Sequence, residues 1–460
     1  MLGWLTLGIL ALLAVSWRFG GVLRALCIAW LVCLVPAASG IVYYDNLSLS
    51  SDNYLRLIAG SVVAFVVGTV AARVVGGRRS APSNSHYDWD SDFERWWPLA
   101  RVAIAISILA VFSMFANAFV LGGQLLNLAA LRSQVIQAES ANIFARLGAV
   151  TIWACFFCYC FALYFRHLLT PMQLLTLSAA AIGIFLSALT TAGRQAPLQL
   201  VLLTLFVEAF RSQRLPKGTA RGFVLKFVAL GLSAALILYV TVNRSTVVVE
   251  NKSTVFLRIF QAHLGNGTQS IFDLFGNGVQ DVATEALLYI SHPVSLFAIS
   301  SNVDYGGPYF GAMDFPFILR QLQPITGINV QQVLDLKIFT LSSERVIGVG
   351  WDTALSGLIM DFTVPGMLLA MALFGFAGQR VMAKVRRAAG FPMVVVAAVL
   401  IMVAAYMPYF SALSDTNILF LLITCALMAK FGPTDRARQV EPVVALGQFP
   451  PRDGGKGAKI

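Results

Sequence analysis

Apolar runs of about membrane-spanning length recur along most of this chain, and they leave few folds open. A hydrocarbon core of ~30 Å takes ~20 helical residues to cross. A backbone in lipid must also satisfy its own hydrogen bonds, so each run is expected to be a helix. Of 460 residues, 58% are hydrophobic and 12% charged. That is half the ~25% charged fraction of soluble domains. Mean hydropathy is +0.76. A soluble enzyme, a disordered chain and a coiled coil are excluded, and an all-α polytopic membrane protein is expected.

The hydropathy pattern predicts eleven spans, at roughly 2–17, 22–43, 54–72, 98–121, 147–165, 172–190, 196–210, 222–242, 351–377, 391–410 and 416–431. Cations orient them. Arg18 and Arg24 follow the first span, and Arg73, Arg78 and Arg79 the third. Arg211, Arg214, Lys217, Arg221 and Lys226 follow the seventh, and Arg380, Lys384, Arg386 and Arg387 the ninth. The intervening loops YYDNLSLSSDN (43–53) and SALSDT (411–416) carry no lysine or arginine. This alternation predicts an outward N-terminus and a cytoplasmic C-terminus. The net charge of +11 is therefore mostly a topology signal, with inward cations facing anionic lipid. No basic groove interleaved with aromatics points to nucleic acid. No small-residue cleavage pattern precedes Arg18, so the first run reads as a span rather than a signal peptide.

The expected organisation has four parts. Residues 1–242 hold eight spans with a polar cytoplasmic loop at 73–97. Residues 243–350 form a large outward loop, 351–431 hold three more spans, and 432–460 have the composition of a flexible cytoplasmic tail. All six cysteines (Cys27, Cys33, Cys155, Cys158, Cys160 and Cys425) fall inside spans. CFFCYC has a metal-like spacing but no neighbouring histidine, so packed, reduced thiols are expected.

The outward loop is too long to be structureless in a compact protein. In STVFLRIFQAHLG, Val255, Phe256, Ile259 and Phe260 share one face while Arg258 and Gln261 point away. That is the pattern of a helix in the membrane interface. His263 falls in the middle of that apolar face and is expected to be packed. ATEALLYISHPVSLFAI (283–299) is apolar and expected to break near Pro293. The loop is expected to fold down as a cap over the spans.

The hairpin TTAGRQAP, between the sixth and seventh spans, puts Arg194 at the outer end of two helices. An arginine there faces a wet cavity, an anion or lipid phosphate. In LLNLAALRSQVIQAES (125–140), Arg132 falls within the apolar stripe rather than opposite it. Arg146, Arg244, Arg258, Arg320 and Arg345 also face outward. Arginine offers a planar fork that grips phosphate or carboxylate through two hydrogen bonds, which suits a lipid-linked pyrophosphate. Candidate bases are His292, beside Pro293, and Glu344. Asp352 flanks the entry to the ninth span, and Asp361 lies within it, where an acid pairs with a cation or caps a kinked helix before Pro365. The sequence has no metal-ligand signature and no nucleotide-binding glycine loop. No cofactor is expected.

Three features together resemble a known family. They are the arginine-bearing outer hairpin TTAGRQAP, the long outward loop before the last few spans, and the run WDTALSGLIMDFTVPGMLL. The chain resembles the oligosaccharide repeat unit polymerases, the Wzy-type O-antigen and capsule polymerases of bacterial inner membranes. Thr353, Asp361, Phe362 and Gly366 match the family's "T…DFG..G" run. Thr363 and Val364 depart from it, standing where glycine is usual.

The resemblance implies a fold related to the large membrane glycosyltransferases of C type. It also implies metal-independent transfer at the periplasmic face. Donor and acceptor would be undecaprenyl-pyrophosphate-linked glycans, and a chain-length regulator would be a protein partner. By the same resemblance, Arg194 would stabilise the leaving pyrophosphate; location and chemistry add Arg345 to it and make Arg132, Arg244 and Arg258 substrate-binding candidates. His292 or Glu344 would take the hydroxyl proton, and Asp361, matched by the motif run, would act in catalysis or hold the site's structure. Two alternatives share the same features. An O-antigen ligase uses the same lipid carrier but transfers to lipid A core. A lipid or polysaccharide transporter predicts charges at span midplanes and two related halves, neither of which is evident. A metal-using lipid-phosphate glycosyltransferase would have only Asp45 in the first outward loop as a ligand.

Overall fold

A computed structural model describes residues 1–17, 19–45, 47, 52–76, 87–120, 143–190, 195–213, 231, 252–272, 274, 277–304, 307–327, 329–333, 335, 353–386 and 390–431. Within these the chain is predominantly helical. The helices are α1 (Leu2–Ser16), α2 (Gly21–Ala38), α3 (Asn53–Gly76), α4 (Trp89–Val120), α5 (Ile143–Thr151), α6 (Trp153–Phe165), α7 (Pro171–Ala179) and α8 (Ala181–Thr190). After them come α9 (Gln195–Ser212), α10 (Lys252–Ile259), α11 (Asn266–Phe272), α12 (Asn277–Ser300), α13 (Pro316–Thr326), α14 (Ala354–Arg386), α15 (Phe391–Tyr406) and α16 (Thr416–Phe431). Two short strands, β1 (Val42–Tyr44) and β2 (Ala262–Leu264), pair antiparallel.

Among the described residues, seven helical segments are long and apolar enough to cross a membrane: Gly21–Ala38, Asn53–Gly76, Trp89–Asn117, Ile143–Phe165, Pro171–Leu189, Gln280–Ser300 and Ala354–Arg386. Leu2–Ser16, Phe391–Tyr406 and Thr416–Phe431 are shorter apolar helices. The expected span at 222–242 lies almost wholly outside the described residues. Gln280–Ser300, expected to break near Pro293, is instead continuous helix. A proline inside a helix removes one N–H. Burial of residues 291–298 on every side holds the helix together across that gap. Its length and composition would suit a span, yet two contacts tie it to one end of the bundle. Tyr44 and Ser291 share a hydroxyl hydrogen bond of 2.6 Å, and Asn53 Nδ2 donates to the Ser301 carbonyl at 3.2 Å. Tyr44 and Asn53 both flank the single connection from α2 to α3.

Two helices are apolar on all sides and sit at the centre. In α6 every residue from Ala154 to Phe165 is buried, and α15 is buried nearly throughout. A helix hydrophobic all round belongs inside its neighbours. Phe157, Phe161 and Phe165 meet Phe391 edge-on or tilted at 5.2–5.5 Å. All six cysteines are buried and free. Polar ties fix the ends of these helices. The Asp92 carboxylate accepts from the Tyr87 hydroxyl, from Trp96 Nε1 at 2.9 Å and from the Phe391 N–H at 2.8 Å. This tie explains why α4 begins nine residues before its expected start at 98. Arg166 grips Glu208 with two bonds of 2.8 and 3.2 Å, joining α6 to α9 in the bidentate geometry that arginine favours.

Helices α3 and α14 approach at backbone distance. A Cβ on Gly68 would land on the Ala372 carbonyl, and one on Gly375 on the Phe65 carbonyl. Small residues allow this contact, which dispersion favours in lipid. The α14 helix starts on an N-cap: Thr353 Oγ1 accepts from the Ser356 N–H at 3.3 Å.

Ten residues on, α14 kinks. Thr363 takes φ 63°, ψ 177°, a region that side chains disfavour and glycine tolerates. Pro365 has no N–H for the Asp361 carbonyl. The loop at 307–315 supplies the missing donors. The Tyr309 N–H donates to the Met360 carbonyl at 3.1 Å and the Phe310 N–H to that of Asp361 at 3.0 Å. The kink therefore falls at the stretch that departs from the resembled family's glycine. Thr363→Gly is expected to stabilise the protein by about 1 kcal/mol, since the backbone strain removed outweighs the added chain entropy. Thermal unfolding in detergent checks this; a lower midpoint would mean that the threonine side chain is needed there.

Candidate functional site

The end of the bundle that carries β1 and β2 gathers most of the polar groups of interest. Val42, Tyr43 and Tyr44 pair with Leu264, His263 and Ala262. The Asp45 N–H donates to the Gln261 carbonyl at 3.1 Å, and the Gly265 N–H to that of Ile41 at 3.0 Å. Gln261 turns the chain at φ 47°, which ends α10 and redirects the next residues into a strand. His263 is therefore not on a helical face and is not packed, contrary to the sequence expectation. Its side chain is 69% exposed, with Nε2 3.3 Å from Asp45 Oδ1. The two-residue alternation of a strand, rather than the helical period, decides which way it faces.

His292 lies deep beneath this clasp, 5% exposed, with its ring against Phe260 at 4.3 Å and Tyr44 at 6.0 Å. Neither ring nitrogen has a hydrogen-bond partner among the described residues. The buried hydroxyls of Thr284 and Ser295, on the same helix, are also unpartnered. Native proteins leave few buried polar groups unsatisfied, and water or ligand usually completes them. Thr284, His292 and Ser295 thus form a buried row of such groups along one helix.

A second polar knot ties the N-terminal ends of α9 and α16. Asp415 accepts from Gln195 Nε2 at 2.9 Å, Gln199 Nε2 at 2.8 Å and the Asn417 N–H at 2.9 Å. Desolvation pushes the Asp415 carboxyl above the usual carboxylate range, against the hydrogen bonds from Gln199 and the N–H groups of Asn417 and Ile418. The Tyr406 hydroxyl is buried nearby without a partner among the described residues. Gln195 opens α9, so this knot fastens the first residue of that helix. The sequence reading passed over Asp415, Gln195 and Gln199. The available signal was an Asp-Thr-Asn start to α16, which marks a helix terminus rather than a site.

An apolar groove of about 730 Å3 lies between α2, α9, α12, α14 and α15; Tyr406 of the second cluster lines it, and His292, Thr284 and Ser295 do not. Tyr289, Tyr406 and Tyr409 line the end near the knot. Ile28, Leu202 and Ile401 line its middle, and Arg24 and Arg386 its far end. A long apolar cleft with polar groups at its ends suits an amphipathic ligand.

The remaining candidates stand apart. Asp361 is fully buried in α14. Its carboxylate accepts from the N–H groups of Met313 at 3.0 Å and Asp314 at 2.9 Å, so it fastens the 307–315 loop to the kink. The loop that it holds joins the apolar cluster of Met360, Ala312 and Leu319, whereas His292 lies against Tyr44 and Phe260. Arg258 is exposed on α10. Arg132, Arg194, Arg244, Glu344 and Arg345 lie outside the described residues. Among the described residues, no group of three or more His, Cys, Asp or Glu could hold a metal ion. Comparison with known proteins gives no matching family model, no matching curated protein and no matching solved structure.

Proposed function

We propose that the protein is a metal-independent membrane glycosyltransferase of a bacterial inner membrane. It polymerises undecaprenyl-pyrophosphate-linked oligosaccharide repeat units at the periplasmic face. In this reading the N-terminus is periplasmic and the C-terminus cytoplasmic. The observation that carries the reading is the apolar groove that reaches Tyr406, whose buried hydroxyl has no partner among the described residues. A lipid-linked sugar needs that combination: hydrocarbon contact for the carrier chain, hydrogen bonds for the sugar.

The transfer forms one C–O bond and breaks another. An acceptor hydroxyl attacks the anomeric carbon of the growing chain, and polyprenyl pyrophosphate leaves. His292 suits the base, because both of its nitrogens are open and it is screened from bulk water. The Asp361 carboxylate is already occupied by N–H donors, so its part is to hold the loop. Arg194 and Arg345 would meet charge developing on the pyrophosphate. Arg132, Arg244 and Arg258 would hold the diphosphate and sugar acids.

The test is reconstitution in liposomes with polyprenyl-pyrophosphate-linked repeat units. Polymer ladders that persist in excess EDTA are expected. Loss of product with EDTA would overturn the metal-free mechanism. Glycan joined only to lipid A core, with no lengthening, would favour the ligase.

A further inference from the structure

At the groove's far end three guanidinium groups crowd one turn. Arg24 lines the groove, stacks over Trp17 at 4.0 Å, and has a buried Nε without an acceptor among the described residues. Arg386 also lines the groove, and its Nη2 lies 3.6 Å from where a Cβ on Gly20 would stand. Arg73 lies over Phe19 at 4.3 Å. With the Gln379 amide turned to suit its neighbours, that side chain accepts from Arg73 Nε at 3.2 Å and donates to the Phe19 carbonyl. Among the described residues, none of the three arginines has a carboxylate partner. Like charges gathered this closely repel unless an anion joins them.

The anion has more to satisfy than charge. The groove continues from these arginines as hydrocarbon surface, through Ala25, Ile28, Val32, Leu202 and Phe206. A free phosphate would leave that surface bare. Trp17 and Phe19 flank the arginines, and aromatic rings of this kind sit at headgroup level in membrane proteins. One molecule with a phosphate and hydrocarbon chains fits both parts.

We propose that this basic mouth is a binding site for an anionic glycerophospholipid. Its phosphate is held between Arg24 and Arg386 with Arg73 behind, and an acyl chain lies along the arginine half of the groove, past Ala25, Ile28 and Ala209, leaving the tyrosine end to the carrier chain. The bulk attraction of basic loops for anionic lipid is the simpler account of these charges. The two differ in whether position matters. Lys384 is exposed on the same turn of α14 as Arg386 but does not line the groove.

The experiment titrates the purified full chain with phosphatidylglycerol in detergent and counts bound lipid by native mass spectrometry. Wild type is expected to retain one phosphatidylglycerol. Arg24→Gln with Arg386→Gln is expected to lower retention by about tenfold or more, since each charged hydrogen bond is worth ~1.5–3 kcal/mol. Lys384→Gln is expected to change it less than about twofold, as this charge does not line the groove. Ala209→Trp fills the groove without touching charge and is also expected to release the lipid. Equal losses in the Lys384 and arginine variants would overturn the site in favour of diffuse attraction. Retention in Ala209→Trp, or displacement by inorganic phosphate alone, would overturn the seating of the chain. If the double glutamine variant does not elute as a single species, Arg24→Lys with Arg386→Lys serves instead. It keeps charge but loses the fork, so reduced retention is still expected and full retention counts against the site. No sugar transfer is measured, so failure here leaves the proposed glycosyltransferase untouched.

Discussion

Replacing Asp361 with alanine is expected to release the 307–315 loop from α14 and to destabilise the protein by several kcal/mol. The carboxylate satisfies buried N–H groups of Met313 and Asp314. Removing it leaves those donors dry, at about 1–3 kcal/mol each. The loss extends further, because the same loop supplies donors to the Met360 and Asp361 carbonyls that the kink leaves open. Asp361→Asn keeps one acceptor oxygen, so its effect is expected to be smaller. Scanning fluorimetry reads the stability, and limited proteolysis between 301 and 315 reads the loop. An alanine variant that unfolds like wild type and resists the protease would show that the loop holds without this anchor. An alanine variant that is stable yet makes no polymer would return Asp361 to the chemistry.

The second large effect concerns Arg194. Arg194→Ala is expected to abolish visible polymer, because removing one donor to a developing oxyanion costs about 10²–10³ in rate. Protein abundance in the membrane is expected to hold, since the Gln195–Asp415 anchor is left in place. Arg194→Lys retains charge without the planar fork, so short, sparse ladders are expected from it. Gel ladders from a complemented null strain, beside an immunoblot of membranes, decide the matter. Normal ladders in the alanine variant would remove Arg194 from the reaction.

The helices were readable because apolar length is a local property. The runs expected at 2–17, 54–72 and 416–431 are α1, α3 and α16 with ends shifted by a few residues. A polar amphipathic stretch hid the true start of α4, which Asp92 ties into the bundle. Three-residue strands carry too little pattern to be seen, so the β1–β2 clasp and the exposed His263 were missed. Pro293 is a helix breaker by local rule, yet close burial keeps α12 whole.

Of the candidate site, the sequence singled out His292 and Asp361 as chemically unusual, since a proline-flanked histidine and an acid in an apolar run stand out. It did not separate their surroundings. Nothing in the order of residues distinguishes a carboxylate filled by backbone N–H groups from an imidazole left open. Asp415, Gln195 and Gln199 were overlooked because Asp415 meets the two glutamines across more than two hundred residues of chain.

The sequence alone determined the class of solvent, the helical state of the spans and the scarcity of charge, because each depends on composition within about twenty residues. The tertiary structure alone decided which few polar groups are satisfied and which lack a partner among the described residues, and that one groove is lined by Tyr406, Arg24 and Arg386 together. Those outcomes depend on contacts between segments far apart in sequence, where packing, not periodicity, sets the neighbours.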